Sequence, residues 1–317
     1  DIGSYGYSSI PEHVRTSQSM VARGSEKVGK LPDMGYTVNR KSDVWSDNVT
    51  DLYEEAKSRR WAPATDIPWS RLDASPLSEA LENACAQLYT FFQECQLLCL
   101  DFPSRWVALI NQDFIEQKSF MCAQMLDASR LLEVFRKRAL YGGAGLKRAS
   151  VSAEQGLKEW LWAETYPQGS LSINLSLAGL LLAIYRHVAA FAPSRVDRAV
   201  MGYAMQDAGR QAAYGTGCLR YHLQHQPGQQ SAMHEYLDET EHVMLGILGS
   251  PELLEPLIII SGGGLDKEQV RAGRVAVSRF IRLAVHEYFE RLEYAGVLGR
   301  SQRSRIPRVI DQVQVSA

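Results

Sequence analysis

The chain has 317 residues, 45% hydrophobic and 22% charged, the composition of a globular protein with a sizeable core. Its 34 Lys and Arg stand against 36 Asp and Glu, a net charge of −2 with both signs interspersed, which leaves no basic footprint for nucleic acid. Five cysteines without metal-site or disulfide-framework spacing suit a reducing, cytoplasmic setting.

Residues 1–50 are rich in Gly, Ser and polar groups and read as an extended arm, ordered only along a surface or a partner. A helical domain is expected over 51–298 and a tail over 299–317. A short helix at 52–60 leads into WAPATDIPWS at 61–70, a packed, irregular crossing. Ser75 as N-cap and Pro76 at the first position then predict a helix start. From there apolar residues recur at spacings of three and four, giving helices at 77–100, 104–140, 153–164, 171–192, 195–225 and 231–248. A last helix runs over 267–295, interrupted or curved near Gly273. EPLIIISGGG at 255–264 reads either as a β run or as a helix end with a glycine stop. The basic run GRSQRSRIPR at 299–308 is expected to be a solvated tail. LSLAGLLLAIY at 175–185 falls short of the about 20 residues of a bilayer span and predicts a buried helix, so no transmembrane segment is expected. No stretch reads as a secretory leader. Long helices with short Gly or Pro breaks argue for an all-α bundle.

Two segments repeat one pattern. QMLDASRLLEVF carries Asp127-Ala128-Ser129-Arg130, and AMQDAGRQAAYG carries Asp207-Ala208-Gly209-Arg210. Each lies in a helix preceded by another long helix, so the two halves pair as matching hairpins. Such a bundle holds two metal ions when each hairpin supplies a Glu from one helix and Glu-x-x-His from the next. The i, i+3 spacing puts both donors on one inward face.

With these residues the chain resembles the Asp-Glu-x-Arg-His signature of ferritin-like di-iron oxygenases and oxidases, which include ribonucleotide reductase small-subunit relatives and the p-aminobenzoate N-oxygenase type. YEEAKSRRWAPATDIPWS, ECQLLCLDFPSRWVALI and EPLIIISGGG resemble, in turn, that superfamily's lead-in, first core helix and stretch before the last helix. The resemblance covers most of 50–300 and implies a ferritin-like four-helix bundle with additional helices.

The ligand positions depart from the signature. Ala128 and Ala208 stand where Glu belongs, and Leu131 and Gln211 where His belongs. The upstream Glu, about thirty residues earlier, is matched by Glu94 in the first half and falls near Leu177 in the second, where no carboxylate occurs. Ala and Leu cannot ligate, and one carboxylate cannot hold two divalent ions. Replacing several buried ligands together by apolar residues lets a core pack without unpaired charge. Asp127, Arg130, Asp207 and Arg210 are therefore expected to tie helices together as ion pairs.

The resulting expectation is a non-catalytic ferritin-like protein, a structural or regulatory subunit beside an active di-iron paralogue, in a homo- or hetero-oligomer of related helical chains. No cofactor is expected. The alternative is an oxygenase or oxidase with an unusual or relocated metal site holding iron or manganese. Its fallback ligands are Glu94 or the pair Glu239 and His242 of DETEHV, with His234 or Glu235 nearby; the heavily charged context of that pair reads as a solvated face. A further alternative is a bundle that binds a small apolar molecule among Leu131, Leu177 and Leu181. Cys95 and Cys99, four apart, share a helix face and with Glu94 offer a different site that lacks an identifiable partner; they read as buried thiols. His187 and His222 have no recognisable companion. SGGGLD at 261–266 lacks the Lys-Ser/Thr of a phosphate loop.

Overall fold

The computed structural model describes residues 10–14, 19–26, 29–72, 76–143 and 145–309, apart from the side chain of Ser152. Its helices are α1 (Val49–Ser58), α2 (Glu79–Val107), α3 (Ile115–Leu140), α4 (Val151–Leu161) and α5 (Tyr166–Ala190). They continue with α6 (Arg195–His225), α7 (Gln230–Leu248), α8 (Pro251–Gly262), α9 (Lys267–Tyr294) and the short α10 (Arg300–Arg303). The central bundle is α2, α3, α5 and α6, with α2 packed on α3 and α5 on α6. Helices α8 and α9 cover α2 and α5 from outside, and α4 lies against α7. Among the described residues, β structure is limited to the isolated bridges His13–Arg40 and Val38–Ile110.

Several starts are set by side-chain caps. Ser78, Ser150 and Ser194 each accept from a backbone N–H three residues on, satisfying an otherwise orphaned donor. Thr165 and Gln168 form a reciprocal capping box at α5, as Asp266 and Gln269 do at α9. The expected cap Ser75 lies outside the described residues, and α2 starts at Glu79 behind Ser78.

The break between the first two long helices differs from expectation. Helix α2 runs through Pro103 to Val107, and α3 begins only at Ile115. The turn between them bonds to the N-terminal arm instead: Val38 N–H donates to Leu109 O (3.0 Å) and Asn111 N–H to Val38 O (3.0 Å). The arm is anchored elsewhere too. Arg23 donates to Glu116 Oε2 (3.0 Å) and Asp113 O (2.6 Å), and Val14, Val44 and Trp45 are buried.

Residues 255–264 take the second of their two expected forms, a helix that ends at Gly262 with Gly263 left-handed as its stop (φ 79°). Two further expectations are corrected. Helix α9 is unbroken at Gly273, which serves packing: a Cβ there would lie 2.1 Å from Ile258 O of α8. The basic run at 299–308 is not simply solvated, because Arg300 is buried and donates to both Glu241 oxygens (2.8 Å each), to Asp238 (2.6 Å) and to His234 O (2.9 Å).

Helix α5 is unusual. After one α turn it widens into a π-helix over Ser170–Leu177, wholly buried, before resuming as α over Ala178–Ala190. Gly215 of α6 sits against this segment, where a Cβ would lie 2.5 Å from Asn174 C and Leu175 N. At 25 residues the whole helix is longer than the apolar stretch in the sequence suggested and is apolar enough to cross a membrane, but 72% of its most apolar window is buried in the bundle. A fully buried ion pair closes the far end: Arg138 donates to Asp197 (2.7 Å) and Glu82 (2.8 Å), and Tyr89 O–H donates to Asp197 (2.9 Å).

Candidate functional site

Four of the six expected ligand positions converge. Ala128 and Leu131 of α3 meet Ala208 and Gln211 of α6 around one cavity, also lined by Gln96, Gln124 and Leu181. Its volume is about 10 Å³, room for about one water molecule. Glu94 and Leu177 do not line it; from α2 and α5 the cavity takes Gln96 and Leu181. This cavity is too small for the apolar ligand expected among Leu131, Leu177 and Leu181, and only Leu131 and Leu181 of the three line it.

Beside the cavity the two Asp-Ala-x-Arg segments interlock. Within each helix, Arg130 pairs with Asp127 and Arg210 with Asp207, three residues apart on one face. Across the bundle, Arg210 reaches Asp127 at 2.8 Å and Arg130 reaches Asp207 at 3.5 Å. Trp61 closes the ring, its Nε1–H donating to Asp207 Oδ2 (3.0 Å) and its carbonyl accepting from Arg130 (3.1 Å). The Arg130 guanidinium also lies over the Trp61 ring at 5.0 Å. Two carboxylates and two guanidiniums leave no net charge. Burial and the neighbouring Asp207 push Asp127 up to about 6, against the pull of Arg210 and Arg130. Burial works against the Arg210 cation, but the two carboxylates outweigh it and hold its pKa above the ordinary value.

Sequence reasoning missed the layer on the other side of the cavity, which is a set of neutral amides. Gln124 of α3 and Gln211 of α6 both donate to Asn174 Oδ1, at 3.0 and 3.1 Å. Asn174 in turn donates to Ser170 Oγ (3.1 Å), and Gln96 to Tyr185 O–H (3.1 Å). The one visible signal was compositional: amides at inward positions of otherwise apolar helices. Asn174 lies in the π-helix three residues before Leu177, the position reached by counting about thirty residues upstream.

This donor set does not fit a pair of iron or manganese ions, which call for carboxylate oxygens and imidazole nitrogens. The lining offers the apolar side chains of Ala128, Leu131, Leu181, Ala208 and Phe120 and the amides of Gln96, Gln124 and Gln211, and its two carboxylates, Asp127 and Asp207, are engaged by guanidiniums. Among the described residues, no group of three or more His, Cys, Asp or Glu is placed to hold a metal ion.

The fallback residues lie apart from the centre and from one another. Glu94 is half-buried on α2, and burial, then the charges of Glu154 and Glu252, raise it to about 7. Glu239, His242 and Glu235 are exposed on α7, while His234 is buried. Cys95 and Cys99 are buried free thiols; burial raises both, Cys99 to about 12, so neither forms a ready thiolate. His187 is bonded to Ser261 Oγ (2.8 Å) between the rings of Phe191 and Phe280, and burial depresses it to about 4. His222 is bonded through Nδ1 to Ser42 O (2.9 Å).

No protein-family model matches the sequence, and no curated protein is significantly similar to it. Solved structures do match. Two are variants of an R2-like ligand-binding oxidase with reconstituted Mn/Fe cofactor. One, reconstituted anaerobically, has TM-score 0.61 and 17% identity over 79% of this chain and 94% of its own. The other, reconstituted aerobically, has TM-score 0.62 and 18% identity over 80% and 95%. A third is an R2-like ligand-binding oxidase with aerobically reconstituted metal cofactor after photoconversion, at TM-score 0.61 and 18% identity over 80% and 95%. The chain thus has the ferritin-like fold of the R2-like ligand-binding oxidases. The expectation of no cofactor is corrected accordingly: the structures that share this fold carry Mn/Fe, so reading absence from five replaced side chains reached past what those side chains decide.

Proposed function

We propose that this chain is a structural or regulatory subunit of an oxidase assembly built on the ferritin-like fold, its bundle centre given over to holding its own helices together. The observation that carries this reading is the convergence of Ala128, Leu131, Ala208 and Gln211 on a cavity of about 10 Å³, flanked by a closed Asp–Arg network. In this reading the metal chemistry of the fold enters the assembly through a second chain of the same architecture. Five free cysteines, four of them buried, are consistent with a reducing compartment such as the cytoplasm.

A second reading is supported by a different observation, the metal cofactors of the matched oxidase structures. It is a ferritin-like oxidase with its metal relocated from the bundle centre, and Glu94 or the pair Glu239 and His242 are the first ligands to test.

Metal analysis by plasma mass spectrometry on protein from its native source, with native mass spectrometry of the same sample, separates the two. A heteromeric complex whose metal stays with the partner on dissociation supports the first reading. One or two equivalents of iron or manganese retained by this chain alone overturn it in favour of the second. A monomer at every concentration, with no second chain, also overturns the first.

A further inference from the structure

A groove of about 420 Å³ runs over the outer face of the bundle, between α6, the C-terminal end of α9 and the turn before α1. It is separate from the central cavity and shares no lining residue with it. Its floor is made of small side chains of α6, Gly209, Ala212, Ala213 and Gly217, with Leu182 of α5 beside them. Arg291, Arg220 and Tyr294 line it as well, and Asp47 is the one carboxylate in its lining among the described residues. The volume lies within the range of small-molecule sites, about 300–1,000 Å³.

The charges do not balance. Arg291 is mostly buried, seated against Gly179 of α5, where a Cβ would come within 2.8 Å of the guanidinium. Its Nε has no hydrogen-bond partner. The nearest carboxylate, Glu287, is 3.8 Å away and is already gripped by both terminal nitrogens of Arg186, at 2.6 and 3.0 Å. One carboxylate thus serves two guanidiniums, and burial depresses the Arg291 pKa below the usual guanidinium value. Arg220 donates to the Tyr294 hydroxyl at 3.0 Å and lies over its ring at 5.0 Å, with no carboxylate of its own among the described residues. Two cations against Asp47 leave the groove one negative charge short.

We propose that this groove binds a small monocarboxylate, its carboxylate held by Arg291 and Arg220 and its apolar body lying on the small-residue floor of α6. A guanidinium presents its donors in a planar fork that matches a carboxylate, and a monoanion supplies the missing charge without excess. The small residues leave the depth the body needs.

Benzoate is the probe, titrated into the full chain by calorimetry and by ligand-observed NMR, with benzamide and phenyl phosphate as companions. The expected result is saturable binding of benzoate, with Kd about 1 mM for so small a molecule, and at least tenfold weaker binding of benzamide. Arg291→Gln lowers benzoate affinity by about tenfold or more, the value of a charge-assisted hydrogen bond. Gly209→Phe abolishes binding by filling the groove. Position 209 has no atom within 4 Å of a Cβ, so the backbone there admits a side chain, and circular dichroism checks that the variant is folded. No saturable benzoate binding overturns the proposal. So does equal affinity for benzamide, benzoate binding undiminished in both variants, or phenyl phosphate bound tenfold more tightly than benzoate.

Discussion

Asp207→Leu is the sharpest perturbation of the central network. Asp207 accepts from Arg210, from Arg130 at 3.5 Å and from Trp61 Nε1 at 3.0 Å. Removing it leaves two buried guanidiniums sharing Asp127 and an indole N–H without an acceptor. The orphaned N–H costs about 1–3 kcal/mol, and breaking a buried pair from one side costs about 3–5 kcal/mol in all. Against a total stability of about 5–15 kcal/mol, that is a large loss. Urea denaturation followed by helical circular dichroism measures it. Replacing all four charges together, with Asp127→Leu, Arg130→Met, Asp207→Leu and Arg210→Met, removes the imbalance and returns stability to within about 1–2 kcal/mol of the parent, since packed apolar side chains substitute well for a buried ion network. The reasoning is refuted if Asp207→Leu costs under about 1 kcal/mol, or if the fourfold variant is no more stable than the single one.

Glu94, raised from 4.5 to about 7, holds its proton longer folded than unfolded. Stability therefore declines as pH rises from the unfolded value near 4.5 through about 7, by about 1–2 kcal/mol once partial exposure is discounted. Glu94→Gln should flatten the melting temperature across that window. His187 runs the other way: lowered from 6.5 to about 4, its contribution is present above pH 6.5 and is lost as pH falls toward 4. In His187→Gln that acid-side decline should shrink, read from the same melting series. Gly215→Ala forces a methyl into the Asn174–Leu175 backbone and should cost about 1–3 kcal/mol, the scale of overpacking; a cost near zero in denaturant would show that α6 can shift there.

The helices were legible because their apolar spacing is a direct imprint of burial on one face, and α6 and the end of α3 fall where periodicity puts them. The meeting of the two Asp-Ala-x-Arg segments was legible for the same reason, since i, i+3 residues in matched helices face one axis. What the sequence hid depends on distant partners. A break was expected between 100 and 104, yet α2 continues through Pro103 to a turn that the arm completes through Val38 and Leu109. Arg300 sits in a run of charge that signals solvent, and only the fold reveals Glu241 waiting for it. The amide cluster around Asn174 follows no motif, because its register depends on a wide helical turn that composition does not announce.

That turn has a consequence for how the chain tolerates change. A π-helix closes i to i+5 bonds, so Ser170–Leu177 carries about one residue more per turn than an α-helix would. Deleting a single residue inside it would let the segment relax to ordinary pitch, and everything beyond would swing by about 100° around the helix axis. Leu181 would leave the central cavity, Tyr185 would lose Gln96, and Arg186 would swing off Glu287, releasing that carboxylate to Arg291. Eight residues thus act as a phase adjuster between the buried core and the outer groove, so a change of one residue in their length resets both at once.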